Sequence, residues 1–493
     1  MLAVMATPIT CHCVRLAGRQ VHYRHRGAGP AVLLLHASPR SSVALLSLMQ
    51  AAPDGLSVFA LDTPGFGLSD PLPVAAPDVE DFANALGAAM EALGIAQAAV
   101  YGTHTGAAIA LALAVRHPQR VSQLVLDGVS SFDAAERAML LPAYLPDFAP
   151  QLDGSHMPGV WSRVRDQALF FPWNHRGAGA RLWRPLPSAA SLHEGALDLL
   201  RASDYRAAYS AALRTDAALW TARLQVPALI GARPDDVLAP HLQRLGPPPP
   251  GVRIEPHPQP SQACAERLWA ALWAGRPAAA APPPKDCGLP PSHLGDAHVH
   301  RPGLALHLRG ACGGPGRPLV LLHPSPGGPR SLEAQLQRRA GRQPVLAPSL
   351  PGHGESMALT PLAGDGLLDA LDQGLLAAGI TEADLVGSGA SAALAVALAA
   401  RRPGRWHCHS EPAACTASQA PGPFTPRDDG GHLFAAWQHA RDESVLGPWW
   451  QRAERHPCAD AIDVPAVQRH AVEVLKEGPA AAAWRAARCT PAA

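Results

Sequence analysis

Apolar and polar positions alternate along Val21-His22-Tyr23-Arg24, as they would in an edge strand, ahead of a turn at Gly27-Ala28-Gly29-Pro30. The runs that follow do not alternate. Ala31-Val32-Leu33-Leu34-Leu35, Val58-Phe59-Ala60-Leu61, Ala98-Ala99-Val100-Tyr101 and Leu124-Val125-Leu126 are apolar throughout, which predicts strands covered on both faces. Residues 78–93 carry apolar positions at helical spacing, and Ala107–Leu113 reads as an alanine-rich helix. Two later runs, Val226–Gly231 and Val252–Glu255, predict further strands before a closing helix over Ala265–Trp273. Strands alternating with helices in this way predict an α/β fold with a doubly wound, mainly parallel sheet.

The alternation breaks over residues 130–222, which are rich in tryptophan, arginine and proline and read as a helical cap inserted into the first domain, 1–273. A Pro/Ala-rich spacer over 274–297 follows, with Ala278-Ala279-Ala280-Ala281-Pro282-Pro283-Pro284 at its centre. Beyond it the first pattern returns. Leu321-Leu322-His323-Pro324-Ser325-Pro326 matches Leu34-Leu35-His36-Ala37-Ser38-Pro39, and Pro351–Ser356 matches Pro64–Ser69. In the cap, Gly154, His156, Trp161, Arg165, Asp166, Pro172, Trp173 and Arg176 recur at one constant offset as Gly430, His432, Trp437, Arg441, Asp442, Pro448, Trp449 and Arg452. An internal duplication is expected, with residues 298–493 a degenerate copy that ends in its cap, before any counterpart of the strands carrying Asp236 and His257. Such a sheet would leave an open edge. Three readings stay open for it: a domain supported by the first, a half-site in a homo-oligomer, or a gene truncated by frameshift.

At 493 residues the chain has room for two or three domains, each with its own core. Its 41 basic and 40 acidic residues give no dominant field, which argues against nucleic acid or anionic membrane and for a small-molecule substrate. Nine cysteines without a CxxC pair point to reduced thiols, and Cys11-His12-Cys13 lacks a second ligand pair, so no metal and no cofactor is expected. The N-terminus lacks a signal-peptide pattern and no run approaches the roughly 18 apolar residues of a membrane span, so a cytoplasmic protein is expected.

The chemistry centres on Gly102-Thr103-His104-Thr105-Gly106, between a buried strand and a helix. Its outline is the nucleophile elbow G-x-S-x-G, with histidine in place of serine. The pieces LLLHASP, LDTPGFGLSD, YGTHTGA and LVLDG, in that order, resemble the core of α/β-hydrolase-fold proteins. The resemblance implies backbone donors for an oxyanion at Ala37 and Thr105, and a catalytic acid at Asp236 or at Asp127. It also implies a base histidine after the last strand, where His257 stands earlier than the usual position. His104 could act as general base on water or a substrate proton, as a covalent nucleophile, or have no catalytic part. His36, His156, Trp161 and Arg165 are the candidates for substrate contact, although an Arg-Asp pair and buried tryptophans also anchor a cap to its core. Asp62 and Ser69 fit a fold-supporting turn. In the second copy Gly389 stands for His104 and Ser349 for Asp62. The expected function is that of a hydrolase-type enzyme acting on a small, fairly apolar carbonyl compound, by ester-like hydrolysis or carbon-carbon cleavage. The alternative is a catalytically inactive binding or scaffolding protein.

Overall fold

The computed structural model describes residues 7–259, 261–284, 287–356, 366–410, 424–447, 456–457, 461–478 and 481. Pro448, Trp449 and Arg452 of the expected repeat lie outside these. The chain divides into two compact units, one of Met1–Asp147, Asp166–Leu186 and Arg201–Lys285, the other of Phe148–Arg165, Pro187–Leu200 and Asp286–Ala493.

In the first unit an eight-stranded sheet is built from β1 (Thr10–Leu16), β2 (Arg19–Gly27), β3 (Ala31–Leu35), β4 (Ser57–Leu61), β5 (Ala98–Thr103), β6 (Val121–Asp127), β7 (Ala228–Gly231) and β8 (Val252–Ile254). Their order is β1-β2-β4-β3-β5-β6-β7-β8. β2 pairs antiparallel with β1 and β4, and all later pairings are parallel. Every residue of β3 and β4 is buried, as expected of strands with helices on both faces. On one face Val32, Leu34, Tyr101, Val125 and Leu229 pack against Trp269 and Leu272 of the helix Ser261–Ala274. On the other, the helix Val79–Ala92, opened by a capping box between Asp78 and Asp81, contributes Phe82, Leu86 and Met90 to the core. β1, which holds Cys11-His12-Cys13, is a strand that the sequence pattern did not signal, and because it pairs along the outer side of β2, β2 is not the edge strand expected.

The stretch read as a spacer is partly structured. Ala281 N donates to Gly29 O at 2.8 Å and Ala280 bridges Pro30, so the proline-rich run lies on the turn after β2. Its far end is strand, because β9 begins at Gly295. A backbone carbonyl left unpaired at a turn is a partner for any passing amide, and composition alone does not reveal that.

The second unit carries β9 (Gly295–Arg301), β10 (Leu304–Ala311), β11 (Leu319–Leu322), β12 (Val345–Pro348), β13 (Ala383–Gly387) and β14 (Trp406–Cys408). Read from β9 its order is β9-β10-β12-β11-β13-β14, with β10 antiparallel to both neighbours and the rest parallel. This is the order and direction of β1 to β6 in the first sheet. A buried charge cluster ties its antiparallel side together. The Arg309 guanidinium makes a two-pronged contact with Glu333 at 2.6 Å per bond and reaches Asp296 at 3.0 Å, while Asp296 also meets His307 at 2.9 Å. Despite burial, the Arg309 charge and that of Arg330, 3.2 Å away, hold the Asp296 carboxyl well below the usual range, with the His307 hydrogen bond adding to them. Replacing Glu333 with alanine leaves Arg309 half-compensated in the core and is expected to cost about 3–5 kcal/mol. Hydrogen exchange should report it as early loss of amide protection along β9 and β10.

Candidate functional site

The site in the first unit is set by the turn between β5 and the helix Thr105–Arg116. His104 holds φ 50° and ψ −111°, and among the described residues only Ala17 shares a positive φ without being glycine. Two glycines make the turn fit. A Cβ on Gly102 would lie 2.3 Å from Gly106 O, and one on Gly106 would lie 2.4 Å from Leu35 O, so both positions exclude a side chain. The strained residue is pinned by its own backbone. His104 N donates to Asp127 O at 3.0 Å, and His104 O accepts from Ala107 N and Ala108 N at 3.0 and 3.1 Å.

The imidazole is one-third exposed, at 34%, and its Nε2 lies 2.9 Å from Asp236 Oδ2. Asp236 Oδ1 accepts from Leu238 N at 2.8 Å, which fixes the carboxylate. Burial works against a charged His104, but the Asp236 hydrogen bond and the charges of Asp236 and Asp127 outweigh it, so its pKa is raised. Burial likewise opposes charge on Asp236, yet the contact with His104 holds its pKa below the ordinary value. Asp235, its neighbour, turns away to Arg233 at 3.6 Å.

A second histidine–carboxylate pair lies at the ends of β6 and β8. His257 is buried, with Nε2 4.0 Å from Asp127 Oδ1 and 3.3 Å from Leu126 O, so its bond is to the carbonyl rather than to the acid. Tyr101 Oη donates to Asp127 Oδ2 at 3.3 Å. Burial lowers the His257 pKa and raises that of Asp127, the nearby Asp236 charge adding to the latter.

His104 and Asp236 face a cavity of about 120 Å³. Thr105, at the first turn of the helix, also lines it, whereas Ala37 is not among the lining residues. The walls come from positions that no motif marked: Phe132, Tyr144, Phe171 and Tyr209 supply aromatic surface, and Gln167 and Arg184 polar groups. Only the tryptophan- and arginine-rich composition of 130–222 hinted at such a wall.

Four expected substrate contacts lie elsewhere. His36 is fully buried, accepts from Thr63 N at 3.0 Å through Nε2, and donates to Ala37 O through Nδ1, so it braces two loops. His156 and Trp161 belong to the second unit, where His156 Nε2 meets Gln468 at 2.9 Å and Trp161 Nε1 donates to Asp428 O at 3.2 Å. Arg165, also of that unit, is exposed, and none of the four lines the cavity. Asp166 pairs with Arg176 rather than Arg165. Asp62 is consumed by the turn after β4, accepting from Ser42 N and Leu68 N and meeting His22 Nδ1 at 2.7 Å. That carboxylate, against the opposing effect of burial, lifts the His22 pKa to about 9. In the second unit His439, Glu443 and His470 bring one potential ligand atom each within 4.8 Å of one another, a grouping closed by a direct His470–Glu443 hydrogen bond.

Residues 30–174 match the family model described as alpha/beta hydrolase fold. The 2-hydroxymuconate semialdehyde hydrolase of Pseudomonas sp. (strain CF600) is 33% identical over 138 residues, 27% of this chain and 49% of that protein. Haloalkane dehalogenase 2 of Mycobacterium tuberculosis is 30% identical over 120 residues, 24% of this chain and 42% of the relative. The 2-hydroxy-6-oxo-6-phenylhexa-2,4-dienoate hydrolase of Comamonas testosteroni is 30% identical over 122 residues, 24% of this chain and 43% of the relative. The chain thus spans about half the length, or less, of these curated relatives. No helix among the described residues is long and apolar enough to cross a membrane. The strand order around the elbow agrees with the alpha/beta hydrolase fold that the family model describes over residues 30–174.

Proposed function

We propose that the first unit is a hydrolase acting on a small, fairly apolar carbonyl compound, with His104 as general base and Asp236 as the group that orients it. The observation that carries this reading is the 2.9 Å His104–Asp236 contact at the edge of a cavity, on a backbone that only a special turn permits. With Nε2–H donated to Asp236, the lone pair resides on Nδ1, the form of imidazole that can take a proton. In the reaction Nδ1 removes a proton from water and the water oxygen adds to the substrate carbonyl. The resulting oxyanion is met by the Thr105 amide at the helix N-terminus, and the proton held on Nδ1 passes to the departing oxygen or carbon. Asp127 and His257 would tune the field around this pair. The hydrolases among the relatives support the class. The cavity supports a small substrate, since an engineered apolar cavity of about 150 Å³ holds a single benzene.

The second unit, in the same proposal, is a degenerate copy without this chemistry. Several matched details support it. His323 Nε2 accepts from Leu350 N at 2.9 Å as His36 does from Thr63 N, and His307 N donates to Ser356 Oγ as His22 N does to Ser69 Oγ, each at 2.9 Å. Gly389 holds φ +57° at the elbow position that His104 occupies with φ 50°.

His104→Ala should lower kcat on an ester or diketone substrate by roughly 10²–10⁴-fold with little loss of fold, measured by steady-state turnover and circular dichroism. Unchanged turnover would remove His104 from the mechanism, and absence of turnover in the wild type across the panel would favour the inert binding reading.

The pH profile tests the orienting role. The base must be unprotonated, and the His104 pKa is raised above 6.5 in the folded protein, so kcat/KM should rise with pH through an inflection above 6.5. Asp236→Asn removes the charge that favours imidazolium and should move that inflection to lower pH, with reduced kcat. An unmoved inflection would show that another group controls the limb.

A further inference from the structure

The cap residues that lie outside the cavity form a reciprocal arrangement within the second unit. Gly154, at φ +77°, leaves room for Trp437: a Cβ there would lie 2.4 Å from the indole Cδ1. Gly430, at φ +73°, does the same for Trp161, where a Cβ would lie 2.3 Å from Cγ. The rings next to them repeat the exchange. His156 stands edge-on to Trp437 at 4.6 Å and 84°, and His432 edge-on to Trp161 at 5.1 Å and 90°. Both histidines are held alike, His156 Nδ1 accepting from Gln151 N at 3.1 Å and His432 Nδ1 from Arg427 N at 3.2 Å. Asp153 and Asp429 each receive an amide two residues on, Ser155 N and Gly431 N, at 2.9 Å.

Each of these residues is matched to its counterpart by the single offset that relates the two cap segments. A contact in which i meets j′ and j meets i′ is the defining property of an isologous, two-fold interface. We propose that the segments Phe148–Arg165 and Arg427–Val445 form an internal pseudo-two-fold interface, in which the second copy occupies the place of a partner subunit. The partner this surface fits is therefore a copy of the same domain, supplied in the same chain. The proposal rests on the duplication argued above and not on the hydrolase reading.

Both tryptophans are spent on this contact, Trp161 at 4% exposure and Trp437 at 0%. Further helices serve the two sides in parallel. His156 Nε2 meets Gln468 on the helix Val464–Leu475, and His432 Nε2 meets His193 Nδ1 at 3.0 Å on the helix Ala189–Arg201. The symmetry is imperfect at the indole nitrogens: Trp161 Nε1 finds Asp428 O, whereas Trp437 Nε1 has no acceptor among the described residues.

Double-mutant cycles on the full chain decide the matter, read as changes in the unfolding equilibrium constant. Gly154→Ala strains a backbone at φ +77° and adds a methyl that collides with Trp437, so Trp437→Ala should relieve the collision and leave the backbone strain, with a coupling of roughly fivefold or more. Gly430→Ala with Trp161→Ala should couple likewise. The pairs close in sequence, 154 with 161 and 430 with 437, should be additive. Coupling within the sequence-local pairs, or additivity in all four, would overturn the proposal. Should an alanine variant fail to fold, Trp161→Phe and Trp437→Phe run the same cycle. Independently, Gly154→Ala should speed hydrogen exchange over residues 431–445, and unchanged exchange there would count equally against it.

Discussion

One backbone conformation, the positive φ of His104, governs the geometry of the first unit's site. A residue with a side chain costs on the order of 1–3 kcal/mol in such a region, and it persists only where its surroundings over-determine it. Here they do. Gly102 and Gly106 let strand and helix close to backbone contact, the His104 amide is tied to Asp127 O, and its carbonyl begins the helix. The turn leaves the imidazole pointing off the end of β5 toward Asp236, which β7 delivers from across the sheet.

The electrostatics follow from having two acids and two histidines under one roof. Asp236, in direct contact with His104, is kept ionised by that contact although burial opposes it. Asp127 has no such bond to His257, only a 4.0 Å approach, so burial and the neighbouring Asp236 charge prevail and its pKa rises. The two carboxylates are thereby driven apart in proton affinity, the pattern by which like groups take unlike roles. His257 diverges from His104 for the same reason. Without a carboxylate in hydrogen-bonding range, burial lowers it toward the neutral form, while the Asp236 partner raises His104.

The sheet was legible from the sequence because fully buried strands read as unbroken apolar runs: β3 and β4 coincide with the runs at Ala31–Leu35 and Val58–Leu61 within a residue. The elbow was legible because its glycines answer a steric demand that no other residue meets. The cavity wall was not. Tyr144, Tyr209 and Arg184 sit in helices and loops whose periodicity says that one face is covered, never by what. His156 and Trp161 illustrate the same gap from the other side. Both are buried on the helix His156–Leu169, while Arg165, four residues beyond Trp161, is exposed, and whether a buried cap residue faces a ligand or another helix is a tertiary fact. β1 was missed because the residues it buries, His12 and Cys13, are adjacent and one of them is ionisable, so no apolar alternation marks the strand.

The second elbow separates what the turn requires from what chemistry would require. Gly389 keeps the left-handed conformation at φ +57°, and Gly387 keeps the close approach, its absent Cβ standing 2.3 Å from Ser391 O. The bend is therefore a demand of strand-to-helix packing and is met in both units. Where only packing is served, glycine meets it at the least steric cost. At position 104 the same bend carries an imidazole with a carboxylate partner and an open cavity beside it, a choice the fold does not need and a proton-transfer site does. The difference between the two elbows is thus the physical reason to look for the chemistry at His104 rather than at Gly389.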